Sequence, residues 1–269
     1  MLATDFCEPA RRALAFARLI ARRRSAPLRA VHVLNLTDSD LTGPGDASQR
    51  SFTAAHDSAE RALREIRREL RLAGIENAAT LISAGQPAAA LRQLVQQHEP
   101  SLLVLGLNGA GSRNSPDQET RPGTTTLSLL AAPPCSILTV NQRCPQTPAA
   151  DALERVMIVI DATAKSLRAA LDIWPPDPTQ PSPTILAVLA PGANSKWELP
   201  ADLRRRFLLT LARDHAKAAD TVQRHVSQAG VGLIIAAFGS ESPLSSLTRG
   251  ALAHSLLTQA SCPVLTLRT

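Results

Sequence analysis

The chain repeats itself, and this constrains its fold more than any other feature. Residues 130–140 read Leu-Ala-Ala-Pro-Pro-Cys-Ser-Ile-Leu-Thr-Val, and residues 257–267 read Leu-Thr-Gln-Ala-Ser-Cys-Pro-Val-Leu-Thr-Leu. Cys135 and Cys262 stand 127 positions apart (262 − 135), and Gly123 and Gly250 share that offset. Asp5 and Asp161 each close a short apolar opening and stand 156 positions apart (161 − 5). The second copy is therefore 29 residues shorter (156 − 127). Two copies of one unit in 269 residues imply two tandem domains of moderate size.

Within each copy, apolar periodicity switches between strand and helix. The first copy reads as a short strand over 1–5 and a helix opened by Pro9 and carried by Leu14, Phe16, Ala17 and Ile20. Strands over 29–36 and 78–84 then flank a long helix, 48–73, with Gly74 as its stop. A helix from 87, a strand over 101–106, a helix over 123–132 and a strand over 135–140 complete it. Strands alternating with helices predict a parallel sheet covered on both faces. The Pro-containing segment 142–154 reads as a linker, which gives domains 1–141 and 155–269. The second copy restarts with a strand over 155–160, a helix over 164–173 and a strand over 184–189. A long helix over 202–228, a strand over 231–238, a helix over 244–259 and a strand over 262–267 follow. The expected fold is α/β: two doubly wound parallel sheets, five-stranded first and trimmed to about four strands second. In this reading the 85–87 region has no counterpart in the second copy, and the deficit is a lost strand plus helix.

Composition narrows the function classes. The formal net charge is +6, from 29 basic and 23 acidic residues dispersed along the chain. Aromatic residues make up 3%, with no Tyr, so stacking platforms for single-stranded nucleic acid are lacking and no nucleic-acid partner is expected. No apolar run approaches the ~20 residues that span a bilayer, so no membrane association is expected. The opening residues lack a basic start and an apolar core, so a cytoplasmic location with reduced thiols is expected. Cys7, Cys135, Cys144 and Cys262 form no CxxC pair and no zinc spacing, and no metal site is read.

The ordered signatures resemble the universal stress protein family. Ala3-Thr4-Asp5-Phe6 before a helix resembles its opening strand, and Gly85-x-Pro87 the turn before its third helix. Leu103-Val-Leu-Gly106-x-x-Gly109 resembles its fourth strand and nucleotide loop. Cys135-Ser-Ile-Leu-Thr-Val140 and Cys262-Pro-Val-Leu265 resemble its closing strand. The resemblance covers the whole chain as a tandem pair. It implies an adenine nucleotide alpha hydrolase-like fold of five parallel strands per domain, with domains paired through their last strands as an internal pseudo-dimer. A homodimer of whole chains is a further expectation.

ATP-binding members of that family carry Gly-x2-Gly-x9-Gly-Ser/Thr. Glycines let backbone approach phosphate oxygens, and N–H groups at a helix start hold negative charge. Here Gly106 and Gly109 keep the first step, and Gly123-Thr124-Thr125 opens a helix after a thirteen-residue gap holding Arg113, Asp117 and Glu119. The resemblance implies that Asp5 and Val33 face adenosine. The implied site is Ala3, Thr4, Asp5, Val33, Leu105, Gly106, Gly109, Gly123, Thr124 and Thr125, with ATP or AMP as its ligand. The alternative reading is that these glycines only turn the chain from strand to helix. In the second copy Gly239-Ser-Glu-Ser242 and Gly250-Ala251 replace the motif, Glu241 adds negative charge, and no nucleotide is expected.

No other pattern carries chemistry as well. His32 reads as a packed strand residue, and His215 and His225 lack the i, i+4 spacing of metal ligands. The triplets Arg22–Arg24 and Arg204–Arg206 read as solvated charged turns. Cys135 and Cys262 read as small apolar fillers, and Cys7 as an exposed thiol. No catalytic residue is identified. An ATP pyrophosphatase of related fold needs Ser-Gly-Gly-x-Asp-Ser after its first strand, whereas this chain has Asp5-Phe-Cys-Glu8 and Asp161-Ala-Thr-Ala164. The leading expectation is a stress-response regulatory module binding one ATP in its first domain. The alternative is a scaffold that binds no nucleotide and acts on a protein partner.

Overall fold

The protein is seen in a computed structural model, which describes residues 1–35, 46–108, 122–175, 183–189, 197–201, 203–204, 207–212, 215–238, 252 and 255–267. The first half holds strands β1 (Leu2–Ala3), β2 (Leu28–Leu34), β3 (Ala78–Ala84), β4 (Leu102–Gly106) and β5 (Ser136–Val140). Its helices are α1 (Glu8–Arg23), α2 (Asp46–Leu72), α3 (Pro87–His98) and α4 (Thr124–Ala131). The second half holds β6 (Val156–Ile160), β7 (Thr184–Val188), β8 (Leu208–Ala212), β9 (Leu233–Ala237) and β10 (Val264–Thr266). Its helices are α5 (Ala164–Ile173), α6 (His215–Gln228) and a π-helical turn over Ser255–Gln259. Among the described residues no helix is long and apolar enough to cross a membrane.

The sequence explains these elements locally. All five residues of β6 and of β9 are buried, as strands covered on both faces must be. Helix α1 begins with Glu8 and Pro9 and ends with Arg22 and Arg23, charges that suit the two ends of the helix dipole. Its buried face is Ala10, Ala13, Leu14, Phe16, Ala17 and Ala21. Large side chains such as Leu14 and Phe16 each contribute roughly 1.5–3 kcal/mol on full burial. Gly74, at φ 83°, terminates α2, as its position in the sequence predicts.

The strands run in the order β3-β2-β1-β4-β5-β10-β9-β6-β7-β8. Every neighbouring pair is parallel except β5–β10, which is antiparallel. Each half is thus a doubly wound parallel sheet, joined to the other through their last strands as the resemblance implies. Two details of the expectation are corrected. The sheets are not separate: Val264, Leu265 and Thr266 pair with Thr139, Leu138 and Ile137, making one ten-stranded sheet. Edge-to-edge pairing satisfies backbone groups that both closing strands would otherwise leave open.

The second correction concerns the strand count. The second half has five strands, because 208–212 is strand β8, in register with β7 from Thr184↔Leu208 to Val188↔Ala212. The helix expected over 202–228 begins only at His215. The segment Leu-Leu-Thr-Leu-Ala fits a helical stripe and a strand equally well, and an apolar run this short does not distinguish them. Helix α6 follows β8 as α3 follows β3, so the 85–87 region does have a counterpart, at 213–215, of which 213 and 214 lie outside the described residues. The deficit falls instead on the connection from β7 to β8. In the first half that connection contains α2, packed on β2 and β3. In the second half the described part, 197–201, 203–204 and 207, includes turns, with Leu199 and Phe207 buried. Of the helix expected over 244–259, only 252 and 255–259 are described.

On the face bearing α1, α2 and α5, one apolar cluster crosses both halves, from Leu2 and Leu28 through Leu138 to Ile158 and Leu167. The opposite face has two clusters, one within the second half and one in the first half that also takes in Leu257. The segment 142–154 is no loose tether, since Cys144 and Leu153 are fully buried. Polar contacts close the junction. Asn141, buried, donates its amide to Leu257 O at 2.9 Å and Ala260 O at 2.8 Å. Arg24 donates to Ile173 O at 2.9 Å, and Arg23 and Arg24 lie over the Trp174 ring.

Candidate functional site

In an open α/β sheet, ligands bind beyond the carboxyl ends of strands where the strand order reverses. In the first half that point lies between β1 and β4, since β1 has β2 on its other side. Thr4, just past β1, is buried and donates its backbone N–H to Val31 O at 2.9 Å. Phe6 follows at φ 63°, an uncommon conformation for a bulky residue. Its N–H donates to Thr4 Oγ1 at 3.1 Å, and its ring lies 4.6 Å from that of His32. His32 Nδ1 is 2.8 Å from Thr4 O, so His32 is packed and paired, as expected.

Asp5 has a local task. Its Oδ1 accepts the N–H of Cys7 at 3.1 Å, bracing the turn into α1. Cys7 is buried, 3% exposed, and its Sγ lies 3.6 Å from Asn108 O. The exposed thiol expected there is corrected: the turn folds Cys7 beneath the end of β4. Gly106, which ends β4, also has a packing task. A Cβ there would lie 2.9 Å from the Pro9 carbonyl carbon and 3.0 Å from the Ala10 nitrogen, so glycine admits the first turn of α1.

The chain returns at Gly123, the N-cap of α4, whose N–H donates to Leu107 O at 2.8 Å. Its N-cap is a glycine, which brings no side-chain cap of its own. Thr124 is exposed, Thr125 half-buried, and Thr126 donates its hydroxyl to Gly106 O at 3.3 Å. Ala3, Thr4, Asp5, Leu105, Gly106, Gly123, Thr124 and Thr125 thus gather at the carboxyl ends of β1 and β4. Val33 stands one strand away, near the end of β2. Gly109, with Arg113, Asp117 and Glu119, lies outside the described residues. Sequence reasoning missed Asn108 and the Phe6–His32 stack; the signal for Phe6 was its place directly after a strand-end acid.

The second half repeats the geometry with other chemistry. Ala162 takes the left-handed turn at φ 57°. Thr163 then caps α5: its Oγ1 accepts the Ser166 N–H at 3.2 Å and donates to Asp161 Oδ1 at 2.8 Å. By strand register Ala237 stands where Gly106 stands, and it is fully buried. Gly239, Glu241, Ser242, Gly250 and Ala251 lie outside the described residues.

None of the four cysteines is in a disulfide. Burial pushes the Cys144 thiol up to about 12 and raises that of Cys262, so both stay protonated and behave as apolar residues. Among the described residues, one group of side chains gathers potential metal ligands: His56, Asp57 and Glu60, on α2.

The sequence pattern of the universal stress protein family matches residues 1–141. No curated protein sequence matches the chain. Among solved structures, a universal stress protein from Archaeoglobus fulgidus DSM 4304 superposes with a TM-score of 0.70 at 15% identity, covering 100% of this chain and 97% of that one. A functionally unknown protein from Pseudomonas aeruginosa PAO1 superposes with a TM-score of 0.56 at 13% identity, covering 99% and 91%. The universal stress protein UspA from Lactobacillus plantarum aligns at 25% identity and a TM-score of 0.45, covering 52% and 95%.

Proposed function

The chain belongs to the universal stress protein family, and from that premise we propose that it is a stress-response regulatory module holding one adenine nucleotide in its first half. The observation that carries this reading is the start of α4, where the N-cap is Gly123 and brings no side chain of its own, beside the ends of β1 and β4. Its counterpart in the second half lies outside the described residues, and there the sequence has Gly250-Ala251 in place of Gly123-Thr124. The phosphates would rest on the first turn of α4, with Gly106, Gly109, Gly123, Thr124 and Thr125 around them. Asp5 and Val33 would face the adenosine. ATP is the favoured ligand and AMP the smaller alternative.

This chain's residues supply binding rather than turnover. Phosphoryl transfer needs a metal ligand, a charge clamp and a group that positions the nucleophile. The sequence around the loop offers Ser112, Thr124, Thr125 and Arg113, and no lysine. Hydrolysis is therefore expected to fall well below the ~10 s⁻¹ median of enzymes.

Calorimetry with ATP tests the reading. One site per chain is expected, and Thr125→Asp should weaken binding by at least ~100-fold. Two unit charges ~4 Å apart at an effective dielectric near 20 interact by several kcal/mol. The same carboxylate suits the positive end of α4, so the fold should persist. Two equivalent sites, or full affinity in the variant, overturn the assignment.

A second reading has its own support: Asp5 is occupied by the Cys7 N–H and Gly106 by the approach of Pro9. Both residues are then explained without a ligand, and the protein acts as a scaffold for a protein partner. Absence of any ATP or AMP binding favours it.

A further inference from the structure

Strand β8 ends the sheet, and its outer side meets no other strand among the described residues. Five large apolar side chains are exposed among the described residues, and three lie here: Leu208 at 65%, Leu209 at 36% and Leu211 at 40%. The opposite edge, β3, has α2 packed against it and carries no exposed large apolar residue. By register Leu209 and Leu211 share a face with Ile185 and Ala187. That is the face covered by α2 in the first half; no described helix covers it at β8.

The backbone of β8 is half used. Leu208 donates its N–H to Pro183 O at 3.3 Å, and Ala212 O accepts the Leu189 N–H at 2.8 Å. Backbone groups of a strand point alternately to its two sides. The groups of Leu208, Thr210 and Ala212 therefore face β7, and the N–H and C=O of Leu209 and Leu211 face outward.

We propose that β8 pairs antiparallel with β8 of a second copy of this chain, about a two-fold axis at Thr210. In that register Leu209 of each copy opposes Leu211 of the other. Their outward backbone groups form two hydrogen-bonded pairs, and the four leucines meet on one face. Several observations favour a second copy as the occupant. A self-pair sets identical segments together, which penalises any charge within the strand, and β8 has none. The chain already joins its own two halves by an antiparallel edge, β5–β10, over three residue pairs, whereas β8 offers five residues. A self-complementary patch closes as a two-fold dimer and leaves no free edge there.

Sedimentation of the full chain over micromolar to submillimolar concentration tests this. A reversible monomer–dimer equilibrium is expected. Leu209→Pro removes one outward N–H and leaves the bonds to β7 intact, and Leu211→Lys sets a charge in the leucine cluster. Each should raise the dimer dissociation constant at least ~10-fold, about 1.4 kcal/mol or more, with an unchanged circular dichroism spectrum. A parent that stays monomeric overturns the proposal, and so does a dimer that both variants keep. If one variant unfolds, the other decides. If both unfold, amide exchange of Leu209 and Leu211 in the parent decides: protection that grows with concentration is expected, and its absence overturns the pairing.

Discussion

At the end of β1 and at the end of β6 the chain makes the same turn: an aspartate, a residue at positive φ (Phe6 at 63°, Ala162 at 57°), then a helix. The turns are held differently. In the first half Asp5 accepts the backbone N–H of Cys7, and α1 comes close enough to need a glycine at 106. In the second half Thr163 holds both Asp161 and the start of α5, and an alanine fits at 237. The comparison teaches that the strand-end acid belongs to the fold, since it braces the turn in both halves. An argument for a ligand must therefore rest on where the two sequences differ, namely Gly106-x2-Gly109 and Gly123-Thr124 against Gly239-Ser-Glu-Ser242 and Gly250-Ala251.

Four substitutions sharpen the comparison. The largest effect is expected where the halves meet. Asn141→Ala leaves the carbonyls of Leu257 and Ala260 without their buried donor and removes the acceptor of the Arg143 and Cys144 N–H groups. At ~1–3 kcal/mol per unsatisfied buried group, a loss of at least ~3 kcal/mol is expected in urea unfolding. Unfolding in two separate steps in the parent would instead show that the halves are independent. The middle effect is the reciprocal pair at the two strand ends. Gly106→Ala forces a Cβ against Pro9 backbone and should cost about 1–3 kcal/mol. Ala237→Gly should cost only about 1 kcal/mol, from a lost methyl and added backbone freedom. Equal costs would break the contrast drawn between the two helix approaches. The smallest effect is at the second turn: Thr163→Ala removes the α5 cap and should cost about 1 kcal/mol, measured by thermal unfolding.

Much of the fold was legible because local signals agreed with it. The run over 156–160 is apolar at every position, Gly74 stops α2, and the paired Cys-containing strands revealed the duplication and its junction. Strand β8 was not legible. Its Leu-Leu-Thr-Leu-Ala pattern is short and leads almost directly into α6, and only pairing with β7 decides it. The strand ends where the proposed site lies were legible, because β1 and β4 fall where the sequence sets them. The tasks of its residues were not. Cys7 is buried by contact with a backbone 101 positions away, and Gly106 is required by Pro9, far from it in sequence. Such demands arise from tertiary approach and leave no periodic trace.

The central position of β10 bears on how the protein is made. This strand leaves a ribosome after β1 to β9, yet it lies in the middle of the sheet, between β5 and β9. Synthesis at ~5–20 residues per second leaves roughly 6–25 s between the emergence of β5 and that of β10. Throughout that interval a finished first half presents an open apolar edge, as a free strand ready to capture other nascent chains. Crowded polysomes should therefore be where this protein is most prone to aggregate, and early protection of β5 by a chaperone would matter more than the stability of the completed fold.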